Sequence, residues 1–269
     1  MSKSRKEYVD TFINQLGMLD CYLNPYEKFR DYIEVAFISL VNQFINSNEK
    51  ENSFNSICKK YGKGDSKLGS ERLSQLLGIT VLALENCPYD FLGDVYMQLD
   101  ISNSRAGQFF TPFEISRLMA NLNIDLSIFE EKSFITLSEP ACGSGGMVIA
   151  YANELLVNGI NPQERLWVSC IDVDPMVAKI CYIQLSLMGI AGEVLIGNTL
   201  TQDISERYFT PFHYLNDWDN KIKYEKLRGF IHDLVSEPKP KLDESGDVQE
   251  LFDLEISRPP NFEEQISLF

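Results

Sequence analysis

Glu139 stands at the end of an apolar stretch, directly before a run of small residues, Pro140-Ala141-Cys142-Gly143-Ser144-Gly145-Gly146. Residues 134–137 read as a buried strand, and a helix is expected to start near Gly146 and continue as MVIAYANELLV. Strand, glycine turn and helix form the opening unit of an open α/β sheet. The glycines let the backbone turn sharply and approach a ligand, because no Cβ stands in the way. The first N–H groups of the helix lack intrahelical partners and can bind a polar or anionic group. The turn lacks the regular G-x-G-x-x-G spacing of a dinucleotide site. A carboxylate at Glu139 repels a pyrophosphate and pairs with an ammonium. Taken alone, the segment also fits, less well, an ordinary strand-to-helix turn with a solvated Glu.

Two further strand ends carry polar groups. Residues 167–174 (WVSCIDVD) read as a second strand ending in Asp172 and Asp174. A helix follows, PMVAKICYIQLSLMG, with Pro175 at its start and Gly189 near its end. GEVLIGNTL then reads as a third strand leading into Asn198-Thr199. Regular alternation of strand and helix implies a parallel sheet with right-handed crossovers, whose ligands bind at the carboxyl ends of the strands. An acid at the second strand end can accept from both hydroxyls of a ribose. A ligand with both an ammonium and a ribose fits this set, and S-adenosylmethionine is such a ligand.

Other segments must position these groups. Residues 1–103 read as helical. In PYEKFRDYIEVAFISLVNQFI, Phe29, Tyr32, Ile33, Ala36, Phe37, Leu40 and Val41 recur at helical spacing. ENSFNSICKKYG reads as a short helix stopped near Gly62, SERLSQLLGITVLALEN as one capped by Ser70, and DFLGDVYMQLD as another. Thr111-Pro112 is a helix-start signal, with Thr111 as cap, Pro112 at the first helical position and Glu114 in the first turn. That helix start offers N–H groups and a hydroxyl to a carboxylate.

Composition narrows the function classes. The 269 residues carry a net charge of −15 and are 44% hydrophobic, enough for a sizeable core. So acidic a chain does not bind DNA nonspecifically through its whole surface, since phosphate contacts need Lys and Arg. A local basic patch or a basic partner remains compatible. Six cysteines without a C-x-x-C pair, and only two histidines, argue for reduced cytosolic thiols and against a structural zinc. No apolar run is long enough to cross a membrane, so a cytoplasmic location is expected.

In chain order, GQFFTP, EPACGSGGM, IDVDP and GNTL resemble the motifs of the adenine-N6 DNA methyltransferases. The likeness is closest to the modification subunits of type I restriction systems and their orphan relatives on phages and plasmids. It covers about residues 20–200. The resemblance implies that Thr111 and Pro112 hold the methionine carboxylate of S-adenosylmethionine and Glu139 its ammonium. Gly143 and Gly145 line the same pocket, with Phe110, Pro140, Ala141, Cys142 and Ser144 around them. Asp172 then binds the ribose and Val173 packs on the adenine. Asn198 stands where the family usually has Asp, and its amide oxygen can still accept from the adenine amine. DNA, and a specificity subunit or a second copy, are the partners implied.

One family motif is missing. Asn/Asp-Pro-Pro-Tyr/Phe, at the end of the fourth strand, holds the amine of a flipped base and stacks on its ring. The nearest match by position is Tyr208-Phe209-Thr210-Pro211-Phe212-His213-Tyr214. There Thr210 and Pro211 stand in for the accepting part, and Phe212 or Tyr214 for the stacking ring. Pro259-Pro260-Asn261 lies in the tail, in the wrong order.

Residues 237–269 are rich in acid and proline and read as a disordered tail. They end in Gln265-Ile266-Ser267-Leu268-Phe269, which resembles the peptide by which bacterial proteins dock on the replication sliding clamp. The expected fold is therefore α/β. A Rossmann-like S-adenosylmethionine-dependent methyltransferase sheet spans 104–236, truncated or completed by another chain, behind a helical N-terminal region. Two functions fit. One is DNA adenine-N6 methylation with an altered base-binding motif. The other is an accessory protein that binds S-adenosylmethionine or DNA, transfers nothing and is recruited to the sliding clamp. A small-molecule or protein methyltransferase fits less well, because GQFFTP points to the DNA enzymes.

Overall fold

A computed structural model of the protein describes residues 4–19, 22–45, 47–100 and 110–236. The expected tail and its terminal peptide lie outside these residues, as does the first half of GQFFTP, residues 107–109. The contacts divide the chain into one unit, Met1–Lys221, and a second, Ile222–Phe269.

Five helices come first: α1 (Arg5–Gly17), α2 (Pro25–Val41), α3 (Asn48–Tyr61), α4 (Ser66–Asn86) and α5 (Phe91–Asp100). Each of the first two opens on a reciprocal cap, Ser4 with Glu7 and Asn24 with Glu27. The apolar stripe expected in α2 is buried at Phe29, Tyr32, Ile33, Ala36, Phe37 and Val41. α4 starts four residues before the Ser70 cap expected from its sequence. Asp65 caps it instead, its Oδ1 accepting from the N–H groups of Lys67 (2.9 Å) and Leu68 (3.4 Å). A carboxylate can accept from both amides at once, so it outcompetes the later serine.

The second half begins with α6 (Phe113–Asn123) and the single turn α7 (Ile128–Glu131). Then come β1 (Ile135–Glu139), α8 (Gly146–Val157), the short α9 (Pro162–Arg165) and β2 (Leu166–Asp172). α10 (Pro175–Leu187), β3 (Ala191–Asn198), β4 (Asp203–Phe209), α11 (Pro211–Leu215) and α12 (Trp218–Ser236) complete the order. The sheet runs β1-β2-β3-β4. β1, β2 and β3 are parallel, as expected, whereas β4 turns back antiparallel along β3. Asp174 lies beyond β2 and caps α10, accepting from the N–H groups of Met176 and Val177.

Helices and sheet share one core, in which Phe12, Phe29, Phe91, Ile149, Val168, Cys170 and Ile183 are fully buried. α10 packs between α2 and β3. The N-terminal helices thereby brace the strands from which the polar groups project.

Candidate functional site

At the carboxyl end of β1 the chain makes the glycine turn and enters α8 at Gly146, as its sequence suggests. Two glycines are required there by geometry. Gly145 precedes the helix at φ +96°, and a Cβ on it would meet Cys181 Sγ at 3.0 Å. Gly143 sits at φ +55°, where a Cβ would touch the Phe110 ring at 3.4 Å. Both occupy left-handed backbone that side chains disfavour. The turn therefore lies flat against Phe110 on one side and α10 on the other.

The cavity at this turn has a volume of about 230 Å³ and is lined by Asp90, Phe110, Thr111, Cys142, Gly143 and Asp172, among others. Asp172 reaches across from β2. Its Oδ2 accepts from Gly143 N–H (2.8 Å) and its Oδ1 from Asp174 N–H (2.9 Å). A carboxylate has about four acceptor positions, so each oxygen keeps capacity for a ligand hydroxyl. Glu139 lies half-buried at the end of β1, and its Oε1 accepts from Ala141 N–H (3.3 Å). Burial pushes its pKa above the usual carboxylate range, with the Ala141 bond opposing. Val173 is 67% exposed beside Asp172. Thr111 lines the cavity but does not cap α6. That helix begins after Pro112, without a side-chain cap, and the Thr111 hydroxyl is not consumed by one.

Three expected site residues are oriented otherwise. Asn198 ends β3 as expected, but its Oδ1 accepts from the N–H groups of Leu200 (2.9 Å) and Thr201 (3.3 Å). The oxygen assigned to an adenine amine is thus held by the β3–β4 turn. The Ser144 hydroxyl donates into the protein, to Asp90 Oδ2, rather than toward a ligand. Cys142 is buried under the turn, where it and Cys181 hydrogen-bond to Cys170 and hold that thiol below its ordinary range. Pro140 and Ala141 are exposed at the rim.

The base-binding expectation at Thr210, Pro211, Phe212 and Tyr214 meets a clear geometric obstacle. Because β4 is antiparallel, it carries the chain back to the amino end of β3, where Phe209 pairs with Glu193. Thr210 is 0% exposed, donating to Ile190 O (2.8 Å) and accepting from Gly192 N–H (3.1 Å). The eight residues of β3 span about 23 Å at ~3.3 Å per residue, and the cavity is at its other end. Tyr214 stacks on Phe44 at 4.8 Å, and His213 stacks on Phe209 while its Nδ1 accepts from Trp167 Nε1 (3.1 Å). Each of these side chains is thus engaged with neighbours at that end of the sheet. Thr210→Val should lower stability by about 1–3 kcal/mol, since it strands a buried amide and a buried carbonyl. Thermal unfolding measures that loss, and affinity for a ligand in the cavity should not change.

Sequence reasoning missed Asp90. It is buried beneath the turn, accepting from Ser144 Oγ, from Gln184 Nε2 (2.8 Å) and from Gly93 N–H (3.1 Å). Gln184 Nε2 also donates to Ser144 O (2.9 Å), and its Oε1 accepts from Leu92 N–H (3.0 Å). Asp90 and Gln184 together fasten the turn to α5 and α10. The only local signal was an acid just before a helix.

Glu139 and Val173 are not among the residues that line the cavity, and they stand at the strand ends beside it. Together with the lining groups they present chemistry that suits an adenosyl amino acid. A half-buried carboxylate suits an ammonium, a paired acid suits vicinal hydroxyls, and an exposed valine suits an aromatic ring face. The bare Gly143 backbone leaves room for close approach.

Comparison with known proteins places the chain in a family. A type I restriction enzyme MjaVIII methylase subunit from Methanocaldococcus jannaschii is 28% identical over 178 residues, 61% of this chain and 28% of its own length. The MjaIX methylase subunit of the same organism is 28% identical over 139 residues, 48% of this chain and 23% of its own. The chain thus spans about a quarter of the length of these relatives. Among solved structures, the methyltransferase subunit of a type I restriction-modification system from Streptococcus thermophilus is similar at a TM-score of 0.38 and 13% identity. That match covers 70% of this chain and 57% of that one. The profile of the family described as N-6 DNA Methylase matches residues 88–228, just over half of the chain and all of the cavity's lining. The chain belongs to the N-6 DNA methylase family.

Proposed function

We propose that the cavity binds S-adenosylmethionine and that the protein serves methyl transfer to the N6 amine of adenine in DNA. One observation carries the reading. Asp172 and the glycine turn line a single cavity at the carboxyl ends of adjacent parallel strands, and Glu139 ends the strand that leads into it. Glu139 would take the ammonium of the cofactor. Asp172 would take its ribose hydroxyls through the acceptor positions that Gly143 and Asp174 leave open. Val173 would lie against its adenine. Thr111, Pro112 and the start of α6 would face its carboxylate. When bound, S-adenosylmethionine supplies an electrophilic methyl group on its sulfonium sulfur. The protein's part is then to hold that methyl in line with the target amine and to keep water out.

Since the relatives are subunits of type I restriction enzymes, a specificity subunit is the partner this reading implies. The acidic surface makes a DNA contact dependent on such a partner or on a local basic patch. The second reading, an accessory protein that binds the cofactor and transfers nothing, gains from the position of Thr210 at the far edge of the sheet. In that reading 265–269 would anchor the chain to the sliding clamp.

Incubation with labelled S-adenosylmethionine and unmethylated DNA, followed by nucleoside analysis, separates the two. Label in N6-methyladenine supports the enzyme. Cofactor binding without any label in DNA selects the accessory protein.

A further inference from the structure

Ser116 lies at the end of the first turn of α6 and is fully buried. It lines the cavity, and its Oγ has no hydrogen-bond partner. A buried hydroxyl that donates to nothing costs stability, and most buried polar groups are paired. A serine in a helix can escape by donating to the carbonyl four residues earlier. Here that carbonyl belongs to Pro112, and it accepts from the N–H groups of Ile115 (2.8 Å) and Ser116 (3.2 Å) instead. A carbonyl oxygen has two lone pairs, so both are taken. The hydroxyl is left for whatever occupies the cavity.

The groups around it are donors as well. α6 packs on α8, and neither helix opens on a side-chain cap. Gly146 and Met147, the first two residues of α8, line the same cavity as Ser116. The N–H groups of a helix start have no intrahelical acceptor, and the helix dipole favours negative charge there. One lining group runs against an anion. Asp90 lies against Gly146, where a Cβ would meet its Oδ2 at 3.1 Å. Its oxygens are turned to Ser144, Gln184 and Gly93, and burial shifts it toward the uncharged form. The donors therefore outweigh it.

We propose that Ser116 binds the carboxylate of the cofactor's amino acid, its Oγ donating to one oxygen while the first N–H groups of α8 face the other. The inference deepens the proposed function and rests on it. It sets the carboxylate between the starts of α6 and α8. It also makes Ser116 a specificity-determining residue, because an adenosyl amine without the carboxyl group would leave the hydroxyl unpaired. A site built around a buried donor discriminates against a ligand that lacks the matching acceptor.

Calorimetric titration of the intact protein and of Ser116→Ala tests this with two probes, S-adenosylmethionine and decarboxylated S-adenosylmethionine. The second probe keeps the adenosine, the sulfonium and the ammonium and lacks only the carboxylate. Ser116→Ala should bind S-adenosylmethionine about tenfold or more weakly, as expected for a lost hydrogen bond to a charged group. It should bind the decarboxylated probe within about twofold of the intact protein. Equal affinity of the two proteins for S-adenosylmethionine overturns the assignment and leaves the cofactor reading standing. An equal loss for both probes overturns it too, since the hydroxyl would then act on another part of the ligand. If the intact protein takes up neither probe, the cofactor reading fails and this assignment with it. A further measurement needs no ligand. Alanine is the better helix former, and removing an unpaired hydroxyl strands nothing, so the melting temperature of Ser116→Ala should equal or exceed that of the intact protein. A lower melting temperature would mean that the hydroxyl has a partner within the fold, and would overturn the assignment.

Discussion

Glu139→Ala should bind S-adenosylmethionine about 10- to 100-fold more weakly than the unaltered protein. The range follows from the worth of a hydrogen bond to a charged group, about 1.5–3 kcal/mol, at ~1.4 kcal/mol per tenfold. Glu139 is the one acid at the end of β1, and it is half-buried, so solvent screens its attraction for an ammonium only in part. Glu139→Gln keeps shape and acceptor but loses charge, and should fall between the two. The pH dependence has a definite sign. Burial raises the Glu139 pKa, so the residue takes up a proton at a higher pH than an ordinary carboxylate does. The protonated form no longer attracts a cation. Affinity should therefore drop as pH falls through that raised value, and Glu139→Gln should flatten the drop. Calorimetric titration across mildly acidic pH reads both effects.

Asp90→Ala should be the more damaging change to the fold. It leaves Ser144 Oγ, Gln184 Nε2 and Gly93 N–H facing a void where a buried carboxylate accepted all three. Each unmet buried donor costs about 1–3 kcal/mol, so a total of at least about 3 kcal/mol is expected. In a chain of this size that lowers the melting temperature by roughly 10 °C. Because the same bonds fasten the glycine turn, cofactor affinity should fall even where the variant remains folded. Asp90→Asn separates charge from shape. Burial raises the Asp90 pKa, with the bonds from Ser144, Gln184 and Gly93 opposing. A raised folded value means that Asp90 contributes stability fully below the ordinary carboxylate pKa and loses it as pH rises through the folded one. Asp90→Asn, neutral at every pH, should lack that component and show a flatter stability profile over the window. Thermal melts of the three proteins across pH check both statements.

The parts of the site that were legible in the sequence are those written in local backbone chemistry. Gly143 and Gly145 mark left-handed backbone, Pro175 marks the start of α10, and Glu139 and Asp172 end strands by their place before a turn. The parts that were not legible depend on residues distant in sequence. Asp90 meets Ser144 and Gln184 only after the chain has folded, so nothing in DFLGDVYMQLD distinguishes it from a surface acid. Thr210 was placed by counting strands forward, which assumes a parallel fourth strand. Residues 203–209 lack a clear alternation, and their antiparallel turn reverses direction and moves Thr210 to the opposite edge. Ser70 lost the capping of α4 to Asp65 for a similar reason. Helix starts compete, and the stronger acceptor wins.

One pocket, built from the ends of β1 and β2 and the turn between β1 and α8, underlies the proposed function. The measurement that addresses it most directly is calorimetric titration of the intact protein with S-adenosylmethionine, beside Glu139→Ala. Saturable binding at one site per chain is expected, weakened at least about tenfold in the variant. Absence of heat in the intact protein, or identical affinity in the two, would contradict the assignment.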